Sequence, residues 1–427
     1  MNKMKKILGV TLAVCMTASS LAACGKSSAG SSSSTKAASE KPSEKSSEKS
    51  GDKSSEKSSE QSSEQSGTQT ATGEPIKVGV SNMVTGPMAA GGLRMKQAIT
   101  MAFEEINAKG GVLGGRPLEM VLVDDTGTPT GAVNAVNKIL GENVSVVIGP
   151  HTSPMASATQ ELYRKAAVPF ITAATSPKLL EAENPYFFRI SVSDGAVGPA
   201  MVEFAKSKFS AKKIGALYDT DDYGVAADNA TKQYCEANGI EYYSEGFTSG
   251  DKDLTSQLSK IKGWGPDVVF DFAHDAEAAL VVRQLDDLGM RQIPHVGPNA
   301  LAQSQTYDLC DAVQLDGTYA STDFYADETS PVMKIFLDDF HARWNADVER
   351  YAAMYYTAAY LAADAINRAD SDKPEDIRKA LSETKDFDAV FGKLNCSDKG
   401  EMNTNLYILQ FDGEKNMNVA QQISLDK

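Results

Sequence analysis

The sequence has few of the residues and motifs that carry enzyme chemistry. Its 427 residues include four histidines, none in a His-Glu-x-x-His metal-binding arrangement. The Gly-x-Ser-x-Gly nucleophile elbow and the Walker phosphate loop are also missing. His151 lies two residues from Ser153, but such close neighbours on a loop rarely face each other as base and nucleophile. We therefore expect a protein that is not an enzyme and that has no cofactor and no metal.

Cysteine is scarce as well. Cys15 and Cys24 lie near the N-terminus, and Cys235, Cys310 and Cys396 are far apart, with no Cys-x-x-Cys spacing. This pattern argues against a disulfide framework and against a zinc site. We expect the last three cysteines to be small, buried, hydrophobic side chains.

Basic residues and long apolar runs are also in short supply. The 42 lysines and arginines are outnumbered by 57 aspartates and glutamates, which gives a net charge of −15. An acidic chain without a basic patch argues against nucleic acid and anionic lipid as partners. After residue 23 no stretch approaches ~18 consecutive apolar residues, so no membrane-spanning helix is expected there.

The N-terminus carries the pattern of an export signal over residues 1–23. Three lysines in residues 1–6 are followed by an apolar run over residues 7–16 and then by small residues. The sequence Leu-Ala-Ala-Cys at 21–24 resembles the lipobox of bacterial lipoproteins. The resemblance implies cleavage before Cys24 and two or three acyl chains, such as palmitate, on that cysteine, which is enough for stable membrane anchoring. The alternative is an ordinary signal peptide with an incidental cysteine.

Residues 24–74 are predicted to be the lipidated cysteine followed by a disordered linker. Their composition is dominated by Ser, Lys, Glu, Gln and Gly, with a near-repeat of Ser-Ser-Glu-Lys over residues 46–58. Such a segment has too few apolar residues to offset chain entropy. Its roughly 50 residues would reach about 40 Å on average, which suggests a cell wall to be crossed and a Gram-positive type of envelope. The alternative is a flexible linker whose length has no relation to a cell wall.

After residue 75, short β-rich runs alternate with helical periodicity. The first series predicts strands over residues 76–80, 118–123, 144–148 and 170–172 and helices over 93–108, 130–140 and 153–166. The second predicts strands over 214–218, 241–245 and 268–272 and helices over 195–209, 224–238, 254–262 and 276–288. Apolar strands linked by helices indicate parallel sheets that are buried on both faces.

Two such series of similar length predict an α/β protein with two doubly wound Rossmann-like lobes. The tail breaks the pattern, with helices over 331–344 and 352–369 and a strand over 406–411. We expect these elements to complete the earlier lobes through a multi-strand hinge. The predicted N-terminal lobe is 75–190 plus 324–402, and the predicted C-terminal lobe is 191–323 plus 403–427.

The loops after the strands are the expected ligand site. In open α/β sheets, ligands bind beyond the carboxyl ends of the strands, so a cleft between two lobes is the natural place. Ser153 and Thr175 lie in two of these loops, just before helices, where hydroxyl and free N–H groups can converge on a carboxylate. Simple helix capping by these two residues is the alternative. Tyr223 can lay its ring over a ligand. The alternative interpretation is that Tyr223 has only a structural role.

Residues 76–411 resemble the branched-chain amino-acid (leucine/isoleucine/valine) binding proteins of ABC importers, which have the type I periplasmic-binding fold. The resemblance rests on short motifs in a common order and spacing. They are Thr-Gly-Pro at 85–87, Ile-Asn-Ala-Lys-Gly-Gly at 106–111, Asp-Asp at 124–125, Val-Ile-Gly-Pro at 147–150, Tyr-Gly at 223–224, Gly-Pro at 297–298 and Tyr-Ala-Ala at 351–353. It implies two lobes that close around a hinge and dock onto an ABC permease.

The resemblance also implies which residues contact the ligand. The groups that hold the ligand carboxylate and ammonium in that family correspond here to Ser153, Ala173, Thr175 and Tyr223. Tyr351 corresponds to the position where an apolar ring lines the pocket.

Three positions depart from the family pattern. Gly91 replaces an aromatic residue, His274 replaces a tyrosine, and Asn299 replaces the glutamate that binds the ammonium. An asparagine offers an ammonium only a neutral carbonyl, and an unpaired buried charge is strongly disfavoured. Either another acid takes over or the ligand lacks an ammonium. The candidate acids are Asp271, Asp275 and Asp323.

We therefore expect an extracytoplasmic solute-binding lipoprotein of an ABC importer, anchored to the cell membrane, that captures an amino acid, aliphatic or branched-chain. A related small carboxylate or amide as ligand is one alternative, and a ligand-sensing receptor domain is another. The predicted ligand-binding residues are Ser153, Ala173, Thr175, Tyr223, His274, Asn299 and Tyr351, and the predicted lipidation site is Cys24.

Overall fold

A computed structural model describes residues 71–402 and 405–425 of the protein. The predicted signal peptide, Cys24 and the linker up to residue 70 lie outside these described residues. Within the described part of the chain, no helix is both long enough and apolar enough to cross a membrane.

Residues 76–189 build the first sheet. Its strands are Ile76–Asn82 (β1), Leu118–Asp124 (β2), Val146–Ile148 (β3), Phe170–Thr172 (β4) and Phe187–Arg189 (β5), and the helices among them are Ala89–Ala108 (α1), Pro129–Leu140 (α2) and Ser153–Ala166 (α3). The strands run parallel in the order β2-β1-β3-β4-β5. Successive residues of a strand point to opposite faces. Accordingly, Val146 and Ile148 join one apolar core and Val147 joins another, so both faces of the sheet are covered.

Residues 194–322 build most of the second sheet. Its elements are Asp194–Phe209 (α4), Lys213–Asp219 (β6), Asp222–Ala237 (α5), Glu241–Phe247 (β7), Thr255–Trp264 (α6), Val268–Phe272 (β8), Asp275–Asp287 (α7), His295–Gly297 (β9), Ser304–Tyr307 (α8), Ala312–Leu315 (α9) and Tyr319–Thr322 (β10). Strands β10, β9, β8, β6 and β7 lie side by side and run parallel. Val268 and Phe270 belong to the core with α4 and α5, and Val269 belongs to the core with α6 and α7.

The last part of the chain returns to both sheets. Its elements are Pro331–Trp344 (α10), Arg350–Ala369 (α11), Pro374–Ser382 (α12), Phe387–Ala389 (β11), Gly392–Leu394 (β12), Asn405–Phe411 (β13) and Met417–Ser424 (β14). Helices α10, α11 and α12 join the core of the first sheet, and β13 and β14 extend the second sheet beyond β10. The chain thus passes between the two sheets after β5, after β10 and after residue 402. We propose the lobe boundaries given above, 75–190 plus 324–402 and 191–323 plus 403–427, for these two units.

The structure confirms the two-lobed α/β prediction and differs from it at short and exposed elements. Strands β5, β9 and β10 span three or four residues each, too few for a periodic pattern to show. Strand β14 is an exposed edge strand in which four apolar and four polar residues follow no regular alternation, so no periodic pattern marks it. Strand β13 pairs antiparallel with β10, and β14 pairs antiparallel with β13, so the second sheet is mixed, an orientation that the predicted strand over 406–411 did not specify.

The cysteine prediction is confirmed in part. Cys235 and Cys310 are buried free thiols within apolar cores, whereas Cys396 is only partly buried. Burial raises the pKa of Cys235 to about 12 and that of Cys310 to about 11. Because the thiolate is the reactive form, both side chains are chemically inert at neutral pH.

Candidate functional site

A polar cavity lies where the carboxyl ends of the strands in the two sheets face each other. It has about 370 Å³ of unfilled space, part of it open to solvent. The seven residues predicted to bind a ligand all line it: Ser153, Ala173, Thr175, Tyr223, His274, Asn299 and Tyr351. Other lining residues that matter here are His151, Asp275 and Arg350. The order of the loops in the sequence therefore predicted the position of the cavity. That each of the seven residues contacts a ligand stays a prediction.

Ser153 sits at the start of α3 on the first-sheet side of the cavity. It is the first residue of the helix, and its Oγ accepts a hydrogen bond from the N–H of Ser176 at 3.1 Å. The N-cap residue is Thr152, whose side chain makes no capping bond. Pro154 has no N–H, and the Ala156 N–H donates to the Thr152 carbonyl at 2.9 Å. The N–H groups of Ser153 and Met155 are therefore the ones available to an anion. The loop reaches this position through Gly149, whose φ of +94° favours glycine and where a β-carbon would lie 2.2 Å from the Ser81 carbonyl oxygen.

Thr175 is positioned by buried charged residues rather than by helix capping. The N-cap of the short helical turn at Pro177–Leu180 is Ser176, so the capping alternative is wrong for Thr175, as it is for Ser153. The Thr175 carbonyl accepts from the Asp194 N–H at 2.9 Å and from Arg189 Nη1 at 3.1 Å. Its hydroxyl interacts with the Asp194 carboxyl, whose pKa burial raises to about 7. A hydroxyl can both donate and accept, so Thr175 can hydrogen-bond to a ligand in the cavity.

His151 is a neutral imidazole on the same side of the cavity. Its Nδ1 and the Tyr355 hydroxyl share a hydrogen bond of 3.0 Å. Burial and the charges of Arg350 and His274 hold the pKa of His151 well below its usual range. The ring bonds to Tyr355 and not to Ser153, so the two are not arranged as base and nucleophile.

Tyr223, His274 and Asp221 form a connected group on the second-sheet side. Asp221 caps α5 by accepting from the N–H groups of Tyr223 at 2.8 Å and Gly224 at 3.0 Å. His274 Nε2 lies 2.8 Å from Asp221 Oδ2, and its ring centroid is 5.0 Å from that of Tyr223. Burial alone would lower the pKa of His274, but the bond and charge of Asp221, with the charges of Asp219 and Asp275, raise it to about 9. His274 is therefore an imidazolium at neutral pH.

The same group contains the side chains best placed to hold a metal among the described residues. Ligand atoms of Asp219, Asp221 and His274 lie within 4.8 Å of one another. Each already has a partner in the protein, because Ser249 Oγ donates to Asp219 at 2.7 and 2.8 Å and His274 bonds to Asp221. The arrangement is satisfied as a hydrogen-bonded ion pair, and we assign it no metal.

Asp275 and Tyr351 meet across the cavity from opposite lobes. Asp275 is the first residue of α7, and its carboxylate accepts from the Tyr351 hydroxyl of α11 at 3.0 and 3.2 Å. At the rim, the Ser304 N–H donates to Glu349 Oε2 at 3.0 Å. Both contacts join the start of α11 in the first lobe to α7 and α8 in the second, so the two lobes touch beside the cavity.

The three candidate acids named from the sequence have different surroundings. Asp271 is buried against His295, with 2.6 Å between Asp271 Oδ1 and His295 Nε2, and does not line the cavity. Asp323 accepts two bonds from Arg350 and one from the Val192 N–H. Asp275 faces the cavity. Arg350 itself was not predicted, although an arginine at the start of a helix as apolar as α11 is a signal that could have drawn attention to it.

Two lobes with wound sheets and a polar cavity between their strand ends define a two-domain solute-binding architecture. A family model described as "Periplasmic binding protein" matches residues 75–416. The chain belongs to that family.

Relatives of known name agree with this assignment. The chain is 29% identical to the leucine-, isoleucine-, valine-, threonine- and alanine-binding protein of Pseudomonas aeruginosa, over 77% of this chain and 87% of the relative. It is also 29% identical to Leu/Ile/Val-binding protein homolog 3 of Brucella melitensis, over 77% of this chain and 89% of the relative.

Solved structures share the fold over nearly their whole length. The leucine binding protein LivK of Thermotoga maritima superposes with a TM-score of 0.77 at 25% identity, covering 82% of this chain and 99% of that one. The branched-chain amino acid transporter substrate binding protein LivJ of Streptococcus pneumoniae, solved in complex with isoleucine, gives a TM-score of 0.74 at 25% identity, covering 83% and 100%. These comparisons confirm the resemblance found in the sequence.

Proposed function

We propose that this protein captures an amino acid, aliphatic or branched-chain, in the cleft between its lobes and delivers it unchanged to an ABC importer. The observation that carries the proposal is the cavity itself. On one side it offers a carboxylate the uncapped start of α3 with Ser153. The relatives support the choice of ligand, since their names specify leucine, isoleucine and valine, and the Pseudomonas protein adds threonine and alanine.

A calorimetric titration tests this proposal. The purified full-length chain is unfolded and refolded to remove any co-purified ligand, and then titrated with leucine, isoleucine, valine, alanine, threonine and phenylalanine. We expect saturable one-to-one binding of at least one aliphatic amino acid and recovery of that ligand unchanged by mass spectrometry. If none of the six binds, the amino-acid assignment is wrong, and a chemically altered ligand would contradict the transport role.

We also propose that the protein is a lipoprotein on the outer face of the membrane, attached through Cys24 and spaced from it by the segment up to residue 74. The lipobox-like sequence at 21–24 and the absence of Val, Leu, Ile, Met and aromatic residues from 25–74 support this. A Gram-positive type of envelope fits the length of that segment.

Labelling with a radioactive fatty acid tests the anchor. Cys24→Ala removes the sulfur on which the thioether forms, so we expect no label and release or incomplete processing of the chain. Cys15→Ala is the matched control, because Cys15 lies in the apolar run of the predicted signal and should leave labelling intact. Label on the Cys24→Ala chain, with normal partition into detergent, would refute the lipobox assignment.

A further inference from the structure

Asp275 is a buried acid whose hydrogen-bond partners are all neutral. Its side chain is 7% exposed and lines the cavity at the start of α7. The Tyr351 hydroxyl donates to it at 3.0 and 3.2 Å, and the amide of Gln305 lies at the limit of hydrogen bonding, 3.5 Å away. Neutral donors lower the cost of burying a carboxylate but leave its charge uncompensated.

The cations closest to the cavity are already paired with other acids. His274 Nε2 bonds to Asp221 at 2.8 Å, and Arg350 makes a two-pronged contact with Asp323. In residues 71–402 and 405–425, no lysine, arginine or histidine forms an ion pair with Asp275. His274 acts on Asp275 through its charge, but its Nε2 is bonded to Asp221. The cavity therefore presents one carboxylate that no cation of the described residues contacts.

The other buried acids near the cavity are not placed to bind a ligand in it. Asp323 is neutralised by Arg350 and also accepts from the Val192 N–H. Asp194 makes no ion pair among the described residues, since Arg189 pairs with Glu401 and Arg350 with Asp323, but it lines an adjoining space rather than the main cavity, and its Oδ2 is shut off from solvent. Neither offers a charged oxygen to a molecule in the main cavity.

Asn299 lines the same cavity as Asp275 and brings no charge of its own. A cationic group on a ligand that entered the closed cleft would lose its hydration there, so it requires an acid within reach.

We propose that Asp275 binds the cationic group of the ligand and that the ligand is therefore a zwitterion rather than a deaminated acid or a neutral amide. This rests on the proposed function, since it takes the α3 side of the cavity as the carboxylate site. Tyr351 acts as a positioning residue, because its hydroxyl holds the Asp275 carboxylate from the opposite lobe. The Asp275 side chain thereby couples the charge of the ligand to closure of the two lobes.

A thermodynamic cycle of two proteins and two ligands tests the assignment of Asp275 as the cation site. The wild type and Asp275→Asn are titrated with the best-binding amino acid and with its deaminated acid of the same carbon skeleton. Asparagine keeps the size of the side chain and an acceptor for Tyr351 while removing the charge. Loss of one partner of a buried charge pair should lower the affinity for the amino acid by about thirtyfold or more. The affinity for the deaminated acid should change by less than about threefold.

Asp222→Asn is the matched control, because Asp222 is also in the first turn of a helix at the cleft but is exposed. It should leave both affinities unchanged. Equal losses for both ligands in Asp275→Asn, with an unchanged thermal midpoint, would overturn the assignment, as would full retention of amino-acid binding.

If the wild type binds no amino acid, the proposed function is refuted, but that result alone does not show whether Asp275 binds a cationic group. In that case, butylamine, choline and guanidinium are titrated against the same two proteins. Binding of one of these cations by the wild type and its loss in Asp275→Asn supports the cation site alone. Binding of none of them overturns it too.

Discussion

The ring of Tyr351 lies directly against Gly91. A β-carbon built on Gly91 would lie 2.9 Å from Cε2 and 3.1 Å from Cζ of that ring. The resemblance to leucine-type binders places an aromatic residue at position 91, and here an aromatic ring from α11 fills the neighbouring space. The glycine in α1 is thus what allows Tyr351 to reach Asp275 across the cleft.

Gly91→Ala should weaken ligand binding by displacing the Tyr351 ring. The added methyl group forces the ring to shift, and overpacking of this kind costs about 1–3 kcal/mol. The cost falls on the closed form, in which the Tyr351 hydroxyl meets Asp275, so the affinity should drop about fivefold or more. Calorimetry of the variant with the best-binding amino acid measures this.

Gly263→Ala provides the control for helix propensity. Gly263 lies in α6 with open space around its missing β-carbon. Both alanines gain about 1 kcal/mol of helix propensity, so both variants should hold or raise the thermal midpoint. An unchanged affinity in Gly91→Ala would mean that the ring position is irrelevant to binding.

The fold could be predicted wherever a pattern extends over several residues. Helix 331–344 was predicted with the bounds that the structure has, because apolar periodicity and a proline at its first position mark it. Strand β14 escaped prediction, since an exposed edge strand needs no apolar face. Helix α1 begins at Ala89, four residues before its predicted start, because the two glycines at its N-terminus hide the helical signal.

The position of the cavity could also be predicted, but the partners of its residues could not. Loops that follow parallel strands meet at one edge of a sheet, whatever their side chains. By contrast, the bond between His151 and Tyr355 joins residues 204 positions apart. The ion pair that takes Asp323 out of the list of candidate acids depends on how α11 packs against the connection after β10. No local pattern in the sequence carries such pairings.

Thr175→Val should weaken amino-acid binding while Thr175→Ser should not. Valine matches threonine in volume but lacks the hydroxyl that lines the cavity and can hydrogen-bond to the ligand. A lost hydrogen bond to a charged group costs about 1.5–3 kcal/mol, or about ten- to a hundredfold in affinity. Serine keeps the hydroxyl, so its affinity should stay close to that of the wild type. Equal affinities for all three proteins, measured by calorimetry, would remove Thr175 from the site.

The stability of the protein should fall between neutral and alkaline pH because of His274. Its pKa is about 9 in the folded protein against about 6.5 in an unfolded chain. The folded state therefore holds the proton more tightly, and the resulting stability is complete below about pH 6.5 and lost as the pH rises through about 9. For a side chain that is one-fifth exposed, this amounts to a loss on the order of 2 kcal/mol.

Asp221→Asn should flatten this pH dependence. The asparagine removes the charge that raises the pKa of His274, so the histidine would lose its proton nearer its ordinary pKa. Free energies of unfolding from urea titrations at pH 7, 8, 9 and 10 measure the slope in both proteins. Lysine and tyrosine side chains titrate in both proteins, so the difference between the two curves isolates His274. Parallel curves would show that the Asp221 bond does not hold the proton.

Asp323→Asn should destabilise the protein far more than the loss of a surface ion pair does. Asp323 binds Arg350 in α11 and accepts from the Val192 N–H at 2.9 Å, so it ties two connections between the lobes to one helix. Both side chains of the ion pair are almost fully buried, and an uncompensated arginine there should cost about 3–5 kcal/mol. Asp338→Asn is the control, because its pair with Lys334 is more than half exposed and should contribute less than about 1 kcal/mol. Urea unfolding of the wild type and the two variants at pH 7 measures these differences. Similar midpoints for Asp323→Asn and Asp338→Asn would mean that Arg350 finds another counter-charge, and Asp194 is an acid whose pKa already responds to its charge.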